Sequence, residues 1–83
     1  MAEQEIGVIN EFFARINVAG VSLNDTMRVG DTIHIKGHTT DLEQPIDSMQ
    51  IEHEQVQEAK AGQAVGIRVK DRVRHGDKVY KVV

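Results

Sequence analysis

The sequence has no cysteine and no tryptophan, and its 83 residues include one proline, two phenylalanines and one tyrosine. Without cysteine, neither a disulfide framework nor thiol chemistry is available. No apolar run approaches the roughly 20 residues that a membrane-spanning helix needs. The acidic start at residues 1–5 lacks the basic and then apolar order of a secretory signal. These absences predict a cytoplasmic protein without membrane contact, forming one domain over residues 1–83, with residues 1–5 disordered.

A turn pattern recurs three times in the chain. Each copy consists of an apolar residue, two further residues, a glycine and then Asp or Gln, at residues 27–31, 59–63 and 73–77. Glycine adopts the positive φ that tight turns between strands require, and short apolar-rich runs flank each copy. The residues that we predict to have structural roles in these turns are Gly30, Asp31, Gly62, Gly76 and Asp77.

Apolar residues alternate with polar ones in the runs between the turns, as in half-buried β-strands. The pattern predicts strands at residues 6–13, 16–23, 31–36, 42–53, 64–70 and 79–83, and Pro45 must lie at an edge or a bulge because it cannot donate a hydrogen bond. We therefore predict an all-β fold, a small antiparallel barrel of six to seven strands that is closed or nearly closed. Its predicted interior is Val8, Val21, Leu23, Ile33, Ile35, Met49, Ile51, Val65, Ile67, Val69 and Val79.

Charge is segregated along the chain although the net charge is only −3. Residues 41–58 carry six acids and no Lys or Arg, whereas residues 68–81 carry six bases against two acids, a net charge of +4. One explanation is that acidic and basic strands pair across the sheet. The other is a functional basic face that follows the phosphates of structured RNA. We call its candidate residues the basic strip: Arg68, Lys70, Arg72, Arg74 and Lys78.

Other candidate sites are weaker. His34 and His38 would lie about 13 Å apart on a straight strand, too far to share an ion, and His53 and His75 have no partner at a ligand-like spacing. The acid pairs at residues 41 and 43 and at residues 52 and 54 have no deep cleft to tune their pKa values in a domain of this size. We therefore expect no metal, no cofactor and no enzymatic activity.

The order of the turns resembles that in the second domain of translational GTPases such as elongation factor Tu. The matching segments are Gly7-Val8, Arg28-Val29-Gly30-Asp31, Ser48-Met49, Ala59 to Ile67, and Val73 to Val79. The resemblance implies a β-barrel that helps to hold tRNA or a ribosomal surface. It implies no GTP binding, because the chain lacks the G-x-x-x-x-G-K-[ST] phosphate loop.

Two runs, at residues 35–41 and 48–53, resemble small free-standing elongation factor-like proteins, and similar barrels end the collagenase-like peptidases. In both settings the resemblance implies a module without chemistry of its own. Two functional hypotheses follow. The chain binds tRNA, ribosomal RNA or a ribonucleoprotein through the basic strip, or it is a protein-interaction subunit that docks on a larger enzyme.

Overall fold

Ten β-strands and no helix are found in residues 2–83, the part of the chain that the computed structural model describes. No helix there is long and apolar enough to cross a membrane. The expected disorder at residues 1–5 does not hold for Glu3 to Glu5, which already belong to the first strand, while Met1 lies outside the described residues. The strands are β1 (Glu3–Phe13), β2 (Val18–Leu23), β3 (Met27–Arg28), β4 (Thr32–Lys36), β5 (Asp41–Pro45), β6 (Met49–Ile51), β7 (Glu54–Val56), β8 (Glu58–Ala59), β9 (Ala64–Arg68) and β10 (Lys78–Val82).

Eight of these strands form one antiparallel sheet in the order β5-β4-β10-β1-β2-β9-β6-β7, and β3 pairs with β8 in a second, two-stranded sheet. The all-β antiparallel prediction is confirmed. The predicted strand number was too low, and within residues 2–83 the main sheet does not close into a barrel, because β5 and β7 are its two edges. Three of the strands that were not predicted have only two or three residues, too few for an alternation to be recognised.

The predicted strand at residues 42–53 is two strands, β5 and β6. Pro45 ends β5, which lies at the sheet edge as expected for a residue without an N–H. Beyond it, the Ile46 N–H donates to Asp31 O at 2.8 Å and Ile46 O accepts from the Gly30 N–H at 2.9 Å. These bonds extend the contact with the chain before β4 by one irregular step past Pro45, and Ile46 is buried there.

Strand β1 departs from regular alternation because it contains two register shifts, one after Glu5 and one after Ile9. An extra residue at a β-bulge moves the following side chains to the opposite face. Ile6 and Ile9 are therefore fully buried, whereas Val8, which we predicted inside, is only half-buried.

The core contains nine of the eleven predicted interior residues, and Ile51 packs against it half-buried. The nine are Val21, Leu23, Ile33, Ile35, Met49, Val65, Ile67, Val69 and Val79. The other buried apolar residues, which the alternation did not predict, are Ile6, Ile9, Ala19, Met27, Ile46, Ala59 and Val73.

The three repeated turns have the same construction. The backbone N–H of the last residue donates to the carbonyl three residues before it, at 3.1 Å in each turn, and the side chain of the last residue accepts from that earlier residue's N–H at 2.7–2.9 Å. The glycine has a positive φ in all three, of 97°, 89° and 92° at Gly30, Gly62 and Gly76. Glycine is preferred there because other residues rarely adopt this conformation.

Gln44 links the edge strand β5 to the chain that leaves β9, although β5 and β9 are far apart in the sheet order. Its buried side chain donates from Nε2 to Arg68 O at 2.8 Å and accepts at Oε1 from the Lys70 N–H at 2.8 Å. This side-chain bridge holds the curled sheet around the core at a place where no backbone ladder joins the two strands.

Candidate functional site

The five bases of the basic strip are all exposed, but they do not lie on one strand. Arg68 ends β9 and Lys78 begins β10, and β1 and β2 lie between these strands in the sheet. The other three bases lie on the connection formed by residues 69–77. Lys78 Nζ is also 3.8 Å from a carboxylate oxygen of Glu5. The strip is therefore a set of solvated cations around one end of the sheet, and its role in binding RNA stays a prediction.

A network of charged side chains covers the outer face of β1, β4 and β5. His34 Nδ1 is 2.6 Å from Glu3 Oε2, and its Nε2 contacts Asp41 Oδ1. Lys36 Nζ is 2.7 Å from Glu3 Oε1 and lies over the Tyr80 ring, 5.4 Å from its centroid. Both imidazole nitrogens face carboxylates, and only the protonated ring can donate to both. His34 in this network is therefore an imidazolium.

The network shifts the pKa values of its members in the directions that favour charge. Hydrogen bonds to Asp41 and then Glu3 raise the pKa of His34 above its usual value near 6.5. Hydrogen bonds from Lys36 and then His34 lower the pKa of Glu3, and the bond to Glu3 raises that of Lys36. Each shift favours the ionised form of its group.

Glu3, His34 and Glu43 bring one potential metal ligand each within 4.8 Å of one another. A nitrogen and two carboxylates are acceptable ligands for a divalent cation. However, both His34 nitrogens already contact carboxylates, and the Lys36 ammonium contacts Glu3. A metal ion would therefore have to displace the Lys36 ammonium from Glu3 and a ring proton from His34. Sequence reasoning missed this group because its members come from three strands. His38 is exposed and is not part of it.

An open groove of about 440 Å³ crosses the outer face of β1, β2, β9 and β6. Its floor includes Gly20 and Gly66, which face each other directly in the pairing of β2 with β9. Its walls include Phe13 and Ile16, whose exposed fractions of 45% and 61% are high for large apolar side chains. These residues belong to the hairpin that joins β1 to β2.

Acidic and strained residues lie around this groove. Glu11 and Glu52 line it, and no Lys or Arg among residues 2–83 does. Glu52 and His53 form the turn between β6 and β7 with φ of 51° and 67°. Two adjacent phenylalanines are the one signal of this groove in the sequence, and the first of them, Phe12, packs half-buried against the core.

Comparison with known proteins found no matching family model. The chain is 43% identical over 77 residues to an uncharacterized protease of Methanocaldococcus jannaschii and 34% identical over 73 residues to a collagenase of Porphyromonas gingivalis. These matches cover 92% and 86% of this chain but only 19% and 20% of the relatives. The chain thus spans about a fifth of the length of the curated relatives it matches.

Among solved structures, the chain superposes with a TM-score of 0.90 on the C-terminal domain of a Geobacillus thermoleovorans protein assigned to the U32 peptidases. The two are 19% identical, and the match covers 96% of this chain and 93% of that domain. The resemblance to collagenase-like peptidases is therefore supported, whereas these matches do not support the resemblance to translational GTPases. Over most of its length the chain is similar to a short part of protease and collagenase chains, and its fold is that of a peptidase C-terminal domain.

Proposed function

We propose that this chain is a non-catalytic interaction module that docks on a larger peptidase-type protein. The observation that carries the proposal is the uneven coverage of its relatives. Nearly the whole chain matches an archaeal protease at 43% identity, yet the match spans only 19% of that protease. A segment that makes up so small a share of a protease has the size of an accessory domain. Most of the protease then remains for catalysis.

The chemistry of the described residues supports a non-catalytic role. Both nitrogens of His34 contact carboxylates, so neither is free to take a proton from a nucleophile. Glu52 and Glu54 are exposed, as are Asp41 and Glu43, so neither acid pair is shielded from solvent. The groove, by contrast, offers an apolar surface that suits a partner.

An affinity capture tests this proposal. The tagged chain is used to capture proteins from lysate of its own organism, with and without ribonuclease, and the captured proteins are identified by mass spectrometry. We expect a peptidase-type protein that is retained after ribonuclease treatment. Absence of any such protein, or its loss on ribonuclease treatment, would contradict the proposal, and the second result would favour the RNA hypothesis.

A charge variant separates the two hypotheses further. Replacing Lys70, Arg72 and Arg74 together by alanine removes three exposed bases of the basic strip. If the module binds protein away from this strip, the variant captures the same peptidase-type protein. If RNA mediates capture, the variant loses it, and capture by the unmodified chain weakens steeply with added salt because phosphate contacts release counterions.

A further inference from the structure

The floor of the groove lacks two side chains at one level, because Gly20 on β2 faces Gly66 on β9. Side chains of the chain itself fill part of this space, since a Cβ on Gly20 would lie 2.7 Å from Asn10 Oδ1 and a Cβ on Gly66 would lie 3.4 Å from Val18 Cγ1. Glycine weakens a strand and often marks a place where another chain approaches the backbone closely. The floor of the groove is therefore backbone flanked by Asn10 and Val18, which both line the groove.

The apolar walls at one end of the groove are open to solvent in the part of the chain that the structure describes. Ile16 and Phe13 are two of the three exposed large apolar residues among residues 2–83, the third being Val83 in the last described position. Two exposed apolar side chains beside an apolar floor make a patch that favours association.

Backbone strain is concentrated in the two turns that flank the groove. Asn17, Glu52 and His53 are the non-glycine residues with positive φ in the described part of the chain. Asn17 follows Ile16 in the first turn, and Glu52 and His53 make the second turn, which would ordinarily favour Asn-Gly. Such conformations persist where the surrounding structure enforces them, and they cluster at binding sites.

The charges of the groove restrict the chemistry of its partner. Phe13 and Ile16 lie at the end of the groove near Arg68, whereas Glu52 follows β6, whose Gln50 pairs with Gly66, and lies at the opposite end near Ala64. Arg68 flanks the apolar end without lining the groove. From residue 68 to residue 64 the strand spans about 13 Å, and β1 and β6 are three strands apart, about 14 Å across the sheet. An extended segment that crosses the groove diagonally would therefore meet the apolar walls and the acidic end about six residues apart.

We propose that the groove binds an extended polypeptide segment of the peptidase-type partner. A bulky apolar side chain of the segment contacts Phe13 and Ile16, and a Lys or Arg about six residues away on the same face pairs with Glu52. The identity of the partner rests on the proposed function above, whereas the chemistry of the segment rests on the groove itself.

The chemistry is tested directly with a peptide and the complete 83-residue chain. The probe is the acetylated, amidated peptide Gly-Thr-Phe-Thr-Ser-Thr-Ser-Thr-Lys-Thr-Gly, titrated into the ¹⁵N-labelled chain and followed by NMR. We expect shifts of the amides of Gly20, Gly66 and Ile16. A peptide with Glu in place of Lys should bind several-fold more weakly. No shift in the groove, or equal affinity for the two peptides, would overturn the proposal.

Matched variants locate the contacts. Ile16→Ser should weaken peptide binding several-fold while Val83→Ser does not, since the two side chains are 61% and 60% exposed and only Ile16 lines the groove. Glu52→Lys should also weaken it, whereas Asp47→Lys, the same change at an exposed acid outside the groove, should not. Equal effects within either pair would overturn the proposal.

Three further outcomes identify other occupants or separate the proposals. Shifts of the groove amides on raising protein concentration without peptide would assign the groove to a second copy of the chain and overturn the proposal. If Ile16→Ser and Glu52→Lys capture the peptidase-type protein as well as the unmodified chain, the groove proposal fails and the proposed function stands. If the peptide binds as expected but no peptidase-type protein is captured, the chemistry of the segment stands and the proposed function fails.

Discussion

At the scale of single residues, Ile67 and Ile16 show that the contribution of an isoleucine to the free energy of unfolding depends on its burial. Ile67 is 1% exposed at the centre of the core, and Ile16 is 61% exposed. Ile67→Ala should lower the free energy of unfolding by about 2–5 kcal/mol, because it removes buried contacts and leaves a cavity. Ile16→Ala should change it by less than about 0.5 kcal/mol. Urea unfolding measures both, and similar effects of the two variants would contradict this assignment.

Regular alternation was sufficient to predict the burial of Ile33, Ile35 and Ile67, because each lies in a strand that pairs without interruption. It failed at Val8 because the bulges of β1 depend on pairing with β2 and β10, which come later in the chain. Gly30 was predictable for a local reason, since its positive φ is a property of the turn itself. Local conformation is thus more accessible from sequence than long-range register.

At the scale of strands, Gln44 supports the curl of the main sheet. Gln44→Ala would leave Arg68 O and the Lys70 N–H without their partner at a part-buried position. An unsatisfied buried group costs about 1–3 kcal/mol, and we expect a loss of stability in that range. Gln55→Ala, at an exposed position on β7, should be nearly neutral. Urea unfolding compares the two variants.

Hydrogen exchange locates the effect of Gln44→Ala. If the side-chain bridge holds β5 against the chain that leaves β9, the backbone amides of β5 should exchange faster in the variant. The amides of β1 and β2 should remain protected. Uniform acceleration across all strands would instead indicate a general loss of stability and would contradict a local role for the bridge.

The His34 network joins β1, β4 and β5 and predicts a specific dependence of stability on pH. Because the folded pKa of His34 is raised, its contribution is fully present below its usual value near 6.5 and is lost as pH rises through the folded pKa. Because the pKa of Glu3 is lowered from 4.5, its contribution is present above that value and is lost as pH falls. The network therefore contributes most between these two values.

The measurement is the difference in unfolding free energy between the unmodified chain and His34→Gln across this range. We expect the difference to be larger at about pH 5.5 than at about pH 8.5. His38→Gln, at an exposed position on the turn after β4, is the control and should show a much smaller change. A difference for His34→Gln that does not vary with pH would show that its ion pairs do not form.

The sites themselves were only partly accessible from the sequence. The basic strip could be predicted because its members are close together in the chain. The groove combines residues of β1, β2, β6 and β9, and the His34 network combines β1, β4 and β5. Neither set of residues can be predicted without knowing which strands are neighbours, because the order of the strands in the sheet differs from their order in the chain.

At the scale of the whole molecule, the acidic segment at residues 41–58 and the basic segment at residues 68–81 do not form ion pairs with each other within residues 2–83. Glu58 pairs with Arg28 at 2.6 Å and Lys81 with Asp31 at 3.5 Å, so each segment finds its partners elsewhere. The hypothesis that acidic and basic strands pair with each other across the sheet is not supported by these contacts. The separated charge instead remains available to orient an approaching partner.

The first and last strands, β1 and β10, are neighbours in the interior of the main sheet, with Glu3 opposite Val82. Neither end can detach without opening the sheet between β4 and β2, so we expect the chain to unfold in a single cooperative transition. Tyr80 lies in β10 beneath Lys36 and is the chain's one tyrosine, which makes its fluorescence a probe of the sheet interior. The urea midpoints from Tyr80 fluorescence and from far-ultraviolet circular dichroism should coincide, and Ile67→Ala should lower both equally. Separate midpoints would show that part of the sheet, such as β6 and β7 at its edge, unfolds independently.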